Sequence, residues 1–199
     1  LAVHAWDLAS ATGQPNPIAG LMVLDVASGA LTTIDVGSDT NQYIYEVEWT
    51  PDSSGLLYRR TNRHQDTLDL VVADPKSGAT RIVLTEKQES WQENSPDFEF
   101  LKDGKRFLWE TERHGFSQYE LRSLDGSAGI PLTEPDSVAE SIVRIDEEHG
   151  FLWYVARSSA TRINGQLHRA KLDGSGSVRL TPEDMNWSSF RIAPDGSAF

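Results

Sequence analysis

Two interleaved series of tight turns run through the chain at one shared period, and this repeat constrains its fold more than any other feature. Taking Asp52, Asp103, Glu148 and Asp195 as markers of the first series, the spacings are 51, 45 and 47 residues. The second series, marked by Asp74, Asp125 and Asp173, runs out of phase with spacings of 51 and 48. Between the turns lie short runs rich in β-branched and aromatic residues, bounded by Asp, Gly, Pro and Ser, which is how strands are punctuated. No window carries a capped 3.6-residue apolar period, so no helix is expected. Four strands per ~45–50 residues is the dimension of a β-propeller blade. A β-sandwich also has regular turns, but nothing in it requires one four-strand unit to recur.

The expected fold is therefore all-β: a β-propeller of four-stranded antiparallel blades, with about three full blades and partial blades at both ends. The full blades are placed at about 43–85, 95–133 and 138–181, and residues 1–199 read as part of a single propeller domain. The runs at 21–26 and 31–36 look like the outer two strands of an earlier blade, and the Asp195-Gly196 turn like the start of a later one. That pattern predicts a chain cut at both ends. Trp109, Trp153, Trp187 and Phe190 fall in strand runs, and Trp49 closes the first strand of its blade. At this spacing such rings are expected to pack between blades.

Charge and cysteine content narrow the function. Lys and Arg number 18 against 30 Asp and Glu, a formal net charge of −12. Such a balance repels phosphate backbones, so no nucleic-acid partner is expected. No run approaches the ~20 apolar residues of a membrane helix, so no membrane span is expected in this chain. The absence of cysteine excludes a disulfide scaffold, a thiolate metal site and a cysteine nucleophile. No paired-histidine metal spacing or calcium-loop pattern occurs, so metal ligands and cofactors are both expected to be none. The five histidines, His4, His64, His114, His149 and His168, do not form a recognisable nucleophile–base arrangement, and no G-x-S-x-G elbow is present. The list of catalytic residues in this chain is therefore empty. The glycine-rich Asp173–Ser177 stretch lacks a following helix and reads as a hairpin turn.

Several stretches in order carry more than architecture. Thr12-Gly13-Gln14-Pro15-Asn16-Pro17 leads into Leu21–Asp25; Thr61-Asn62-Arg63-His64-Gln65-Asp66 follows; then Trp91; then Phe98-Glu99-Phe100-Leu101-Lys102-Asp103-Gly104 through Trp109, with Glu112-Arg113-His114-Gly115. This set resembles the N-terminal β-propeller of the dipeptidyl peptidase IV family, within the prolyl oligopeptidase superfamily. The family's A-G-x-x-N-P, N-R-x-Q-N and F-x-F-L-x-D-G motifs are the matching patterns, with Asp66 departing from the final Asn of the second. The resemblance implies a serine exopeptidase that removes N-terminal dipeptides, with Pro or Ala at the second position. It implies catalysis by an α/β-hydrolase domain that this chain does not contain, peptide substrates, a homodimer, and an exported, periplasmic or envelope location.

Blade geometry puts the loops between second and third strands on the same face as the crossings between blades. That groups Asn62–Asp66, Arg113–Gly115 and Ser158–Asn164 with the long crossing Glu86–Asn94. Loops held by a rigid scaffold are where binding residues concentrate. In the family resembled here, the crossing near Trp91 approaches the substrate cavity. Trp91, Glu93 and Asn94 are therefore the expected substrate-binding residues, beside Gln92. The structural alternative makes Trp91 a buried anchor between blades and Gln92 part of a solvated loop. Asn62, Arg63 and Gln65 are expected to be structural, the Arg and Gln satisfying backbone carbonyls within their hairpin. Two further functions stay open at this level. One is a non-enzymatic protein-interaction scaffold; the other is a sugar-active propeller using Glu46, Glu48, Asp97 or Glu99, which needs acids ~5–9.5 Å apart.

Overall fold

The computed structural model describes residues 18–158 and 160–199; the Thr12–Pro17 stretch therefore lies outside the described residues. Every regular element among the described residues is a strand. β1 (Leu21–Leu24) and β2 (Leu31–Ile34) form a two-stranded sheet. β3 (Gln42–Trp49), β4 (Leu56–Asn62), β5 (Thr67–Ala73) and β6 (Thr80–Lys87) form an antiparallel meander in chain order. So do β7 (Phe98–Phe100), β8 (Arg106–Thr111), β9 (Gln118–Ser123) and β10 (Ile130–Pro131). The third meander is β11 (Val138–Asp146), β12 (Phe151–Arg157), β13 (Gly165–Lys171) and β14 (Ser177–Arg179). Three successive four-stranded meanders are the blade unit of a β-propeller. The chain divides into two compact units, one ending at Asn94 and the other running from Ser95.

The turn aspartates explain why the period is visible in the sequence. An Asp side chain can accept the N–H two residues on and so mimic a backbone turn. Asp52 Oδ1 accepts Ser54 N at 3.0 Å, Asp103 accepts Lys105 N at 2.8 Å, and Asp195 accepts Ser197 N at 3.1 Å. In the other series Asp74, Asp125 and Asp173 each do the same at 2.8 Å. The backbone N–H of Ser54 and the hydroxyls of Thr50 and Ser54 hold the Asp52 carboxyl down to about 2. The third turn of the first series corrects the marker. Asp146, not Glu148, closes it, taking His149 N at 3.2 Å and the His149 ring at 3.0 Å.

Within the first unit, Leu21, Val23 and Ile34 pack against Leu56, Tyr58, Val71 and Ala73. Fully burying one such side chain is worth ~1.5–3 kcal/mol. Backbone contacts add to this: Asp35 N donates to Gly78 O at 2.9 Å, and Thr80 Oγ1 to Asp35 O at 2.9 Å. Gly78 has φ +77°, and a Cβ there would lie 2.1 Å from Thr33 O, so only glycine fits. In the second unit Leu101, Leu108, Tyr119, Leu121 and Leu132 share one core with Leu152, Tyr154, Ala156 and Ala170. Glu147 Oε1 accepts Lys102 N at 2.9 Å beside that core.

Trp109 and Trp153 are buried within β8 and β12. Trp187 and Phe190, expected in a strand, lie outside one. Past β14 the last described feature is a turn in which Ala193 N donates to Ala198 O. β10 is only two residues long, and its contact with β9 continues through Leu132 N, which donates to Tyr119 O at 2.9 Å.

Candidate functional site

The crossing after β6 is held against the β4–β5 hairpin in the first unit. The hairpin is built by Asn62, whose Oδ1 accepts Asp66 N at 3.2 Å and Thr67 N at 3.3 Å. Its Nδ2 donates to Asp66 Oδ1 at 2.8 Å, and Thr67 Oγ1 donates there at 2.9 Å. Those two bonds hold the Asp66 carboxyl below the usual range. Asn62 therefore has the structural role expected of it, stabilising the turn by accepting backbone N–H groups.

Gln65 stands at the tip in the left-handed region, φ +56°. This conformation is uncommon for a residue with a Cβ and persists where surrounding contacts determine it. Its backbone oxygen accepts Gln92 N at 2.7 Å, and Asp66 O accepts Gln88 N at 2.9 Å. Its side-chain Oε1 accepts both Trp91 Nε1 at 3.2 Å and Asn94 Nδ2 at 3.0 Å. Asn94 is held a second way, since Tyr45 Oη donates to its carbonyl at 2.8 Å. Burial pushes the Tyr45 phenol up to about 12, against the opposing Arg59 charge, so it stays a donor at neutral pH.

Trp91 is 53% exposed, in contrast to the buried anchor of the structural alternative. Gln92 is the opposite: 1% exposed, its Nε2 donating to Glu93 O at 3.0 Å and its Oε1 buried without a partner. The crossing thus alternates an exposed indole with a buried amide. Trp91 and Asn94 meet on one Gln65 oxygen, and Glu93 lies between Gln92 and Asn94 in the chain. Gln65 is the residue whose role was missed. The available signal was its place in the N-R-x-Q stretch.

Two of the four acids considered for sugar chemistry, Glu46 and Asp97, are engaged by other side chains. Glu46, φ +48° at an irregularity in the β3–β4 pairing, forms an ion pair with Arg59 at 2.5 Å. Asp97 Oδ2 accepts Tyr119 Oη at 2.9 Å, and its N–H donates to Glu110. Burial raises the Glu48 and Glu99 carboxyls. A recess of about 270 Å³ near the hairpin is lined by Gln42, Arg60, Asn62 and Asp69. Arg60 pairs with Asp69 there at 2.7 Å, and Asp39 adds a second carboxylate to the lining. Among the described residues no group of three or more His, Asp or Glu side chains sits together in a metal-holding arrangement. No helix among them is long and apolar enough to cross a membrane.

Comparison with known proteins places this architecture. The family model described as the dipeptidyl peptidase IV N-terminal region matches residues 10–199. A "Probable dipeptidyl-aminopeptidase B" of Aspergillus clavatus is 28% identical over 185 residues, covering 85% of this chain and 20% of that protein. A "Probable dipeptidyl peptidase 4" of Emericella nidulans is 26% identical, covering 72% of this chain and 20% of the relative. The chain thus spans about a fifth of the length of these relatives. The Porphyromonas gingivalis dipeptidyl peptidase 4 crystal structure superposes with TM-score 0.69 at 18% identity, over 81% of this chain and 23% of that one. That likeness bears on the fold alone, and it agrees with part of a β-propeller. The chain belongs to the dipeptidyl peptidase IV N-terminal region family.

Proposed function

We propose that this chain is a substrate-gating and peptide-binding portion of the propeller of a serine dipeptidyl peptidase. Chemistry is supplied by an α/β-hydrolase domain of the same protein, which releases N-terminal dipeptides with Pro or Ala second. Trp91, Glu93 and Asn94 form the peptide-binding edge: the indole packs against an apolar side chain, the Glu93 carboxylate accepts from peptide N–H, and Asn94, tied to Gln65, shapes the edge they share. The whole protein acts as a homodimer in an exported, periplasmic or envelope location. The observation that carries this reading is an exposed indole held beside two polar residues on a rigid hairpin, within a family of peptidase propellers. A solvated loop with no binding role has no reason to fix an exposed Trp, because ordering a large exposed side chain costs conformational entropy.

The test is made on the whole protein with a Gly-Pro chromogenic amide. Glu93→Gln and Asn94→Ala are each expected to lower kcat/KM by roughly five- to tenfold, the size of one or two lost hydrogen bonds. Unchanged kcat/KM in both variants sinks the reading. The isolated 199-residue chain is expected to give no turnover, and turnover by it would show that catalytic groups reside here after all.

A further inference from the structure

We infer that Gln65 is the positioning residue of the Trp91–Asn94 crossing, acting as a polarity relay through one oxygen. The inference deepens the peptide-binding reading and rests on it for its functional consequence. An indole N–H can only donate, so the Gln65 atom facing Trp91 Nε1 must be the carbonyl oxygen. That orientation presents the same oxygen to Asn94 and obliges Asn94 to turn its NH₂ toward Gln65, as observed. The consequence is visible: Asn94 Oδ1 is left buried without a partner, an unfavourable arrangement that needs a compensating constraint. The backbone of Gln65 supplies a further tie to the crossing through Gln92 N. The orientation of the exposed indole is therefore set by a residue 26 positions earlier in the chain. Gln65 contacts no substrate in this account; it acts through Trp91 and Asn94.

The relay makes an unusual substitution pattern. Gln65→Met has nearly the same shape but no acceptor, so it frees both partners. Gln65→Glu keeps two acceptor oxygens for the same two donors, so it rescues. Asn94→Asp puts an acceptor opposite the Gln65 oxygen. The Gln65 amide then turns to donate, faces Trp91 with its own NH₂, and releases the indole without any change at positions 65 or 91.

All three variants are made in the whole protein, with Trp91→Phe used to isolate the Trp91 share of acrylamide quenching from the remaining tryptophans. The expected result is a roughly twofold rise in Trp91 quenching for Gln65→Met and Asn94→Asp, and wild-type quenching for Gln65→Glu. On the Gly-Pro amide, Gln65→Met is expected to raise KM by roughly fivefold with kcat within twofold, and Gln65→Glu to restore KM. Wild-type quenching in Gln65→Met and Asn94→Asp, or Gln65→Glu as damaged as Gln65→Met, overturns the relay. If quenching follows the expected pattern while KM is unmoved in Gln65→Met and in Trp91→Phe, the relay stands and the peptide-binding role of the crossing falls.

Discussion

Gln118 and Gln166 occupy the same repeat position 48 residues apart, and their surroundings differ in an instructive way. Each begins the body of a third strand, and the backbone around them is copied faithfully. Thr133 Oγ1 accepts Tyr119 N at 3.0 Å, and Thr181 Oγ1 accepts Leu167 N at 3.0 Å. Ala139 N donates to Ser117 O at 2.9 Å, and Trp187 N donates to Gly165 O at 2.9 Å. The side chains part company there. Gln118 donates to Ser137 O and accepts from Thr133 Oγ1, so both ends of its amide are used. Gln166 is fully buried with neither amide atom partnered. Its crossing is tied instead by asparagines: Asn186 Oδ1 accepts Gly165 N at 2.7 Å, and Asn164 Nδ2 donates to Glu183 O at 3.0 Å. Backbone periodicity propagates the blade, while each crossing chooses its own side-chain tie.

The same substitution at the two sites must therefore diverge. Gln118→Leu strands the Ser137 carbonyl and the Thr133 hydroxyl in a buried setting, and is expected to cost about 2–4 kcal/mol. Hydrogen exchange in the whole protein reads this as faster exchange of the β9 amides. A protected β9 in that variant would remove the claim that Gln118 ties its crossing.

The next effect is set by His168, 5% exposed on the same strand as Gln166, with both ring nitrogens unpartnered. Burial, with Arg179 adding to it, pushes the ring down from 6.5 to about 4. The groups around it are the Tyr154 ring at 5.2 Å, Arg179 opposite in the β13–β14 register, and Glu134 near Tyr154. A depressed histidine makes the unfolded chain the better proton acceptor below pH ~6.5, so stability falls as pH drops through the window from 6.5 to 4. By pH 5 the loss is expected to be about 2 kcal/mol, read as faster β13 exchange while β9 changes less. His168→Phe should flatten that pH slope; an unaltered slope would assign it to other groups.

Gln166→Leu follows, with an expected change of at most about 1 kcal/mol in the stabilising direction, because it removes two buried unpaired atoms rather than a bond. Destabilisation approaching that of Gln118→Leu would erase the contrast between the two crossings. Smallest is the turn chemistry common to both units. Asp52→Asn should speed exchange at Ser54 without disturbing β4. The Asp52 contribution in the parent chain is complete above pH ~3.8 and lost as pH falls toward 2.

The strands and their order were legible because the turns that separate them are chemically self-sufficient. Asp52, Asp74, Asp103, Asp125, Asp173 and Asp195 each close a turn with the N–H two residues on, so local residue types announce local structure. Glu148 misled because a nearby acid, Asp146, does the same work from a strand end. Trp187 and Phe190 misled because an aromatic-rich run resembles a strand until pairing is required of it. The crossing was legible as a place but not as an arrangement. Gln92 sits between the exposed Trp91 and the half-buried Glu93 in sequence, and nothing in that neighbourhood marks it as fully buried.

What the sequence determined by itself is the blade: its period, its strand count and the family to which the motif order points. All of these rest on interactions spanning a few residues, or on alternation along one strand. What only the tertiary structure decided is which side chains share an atom. Gln65 meets Trp91 and Asn94 across 26 and 29 residues, and Gln118 finds a partner where Gln166 does not. Such pairings depend on sub-ångström placement of two separately built segments, and a hydrogen bond is made or lost over less than an ångström.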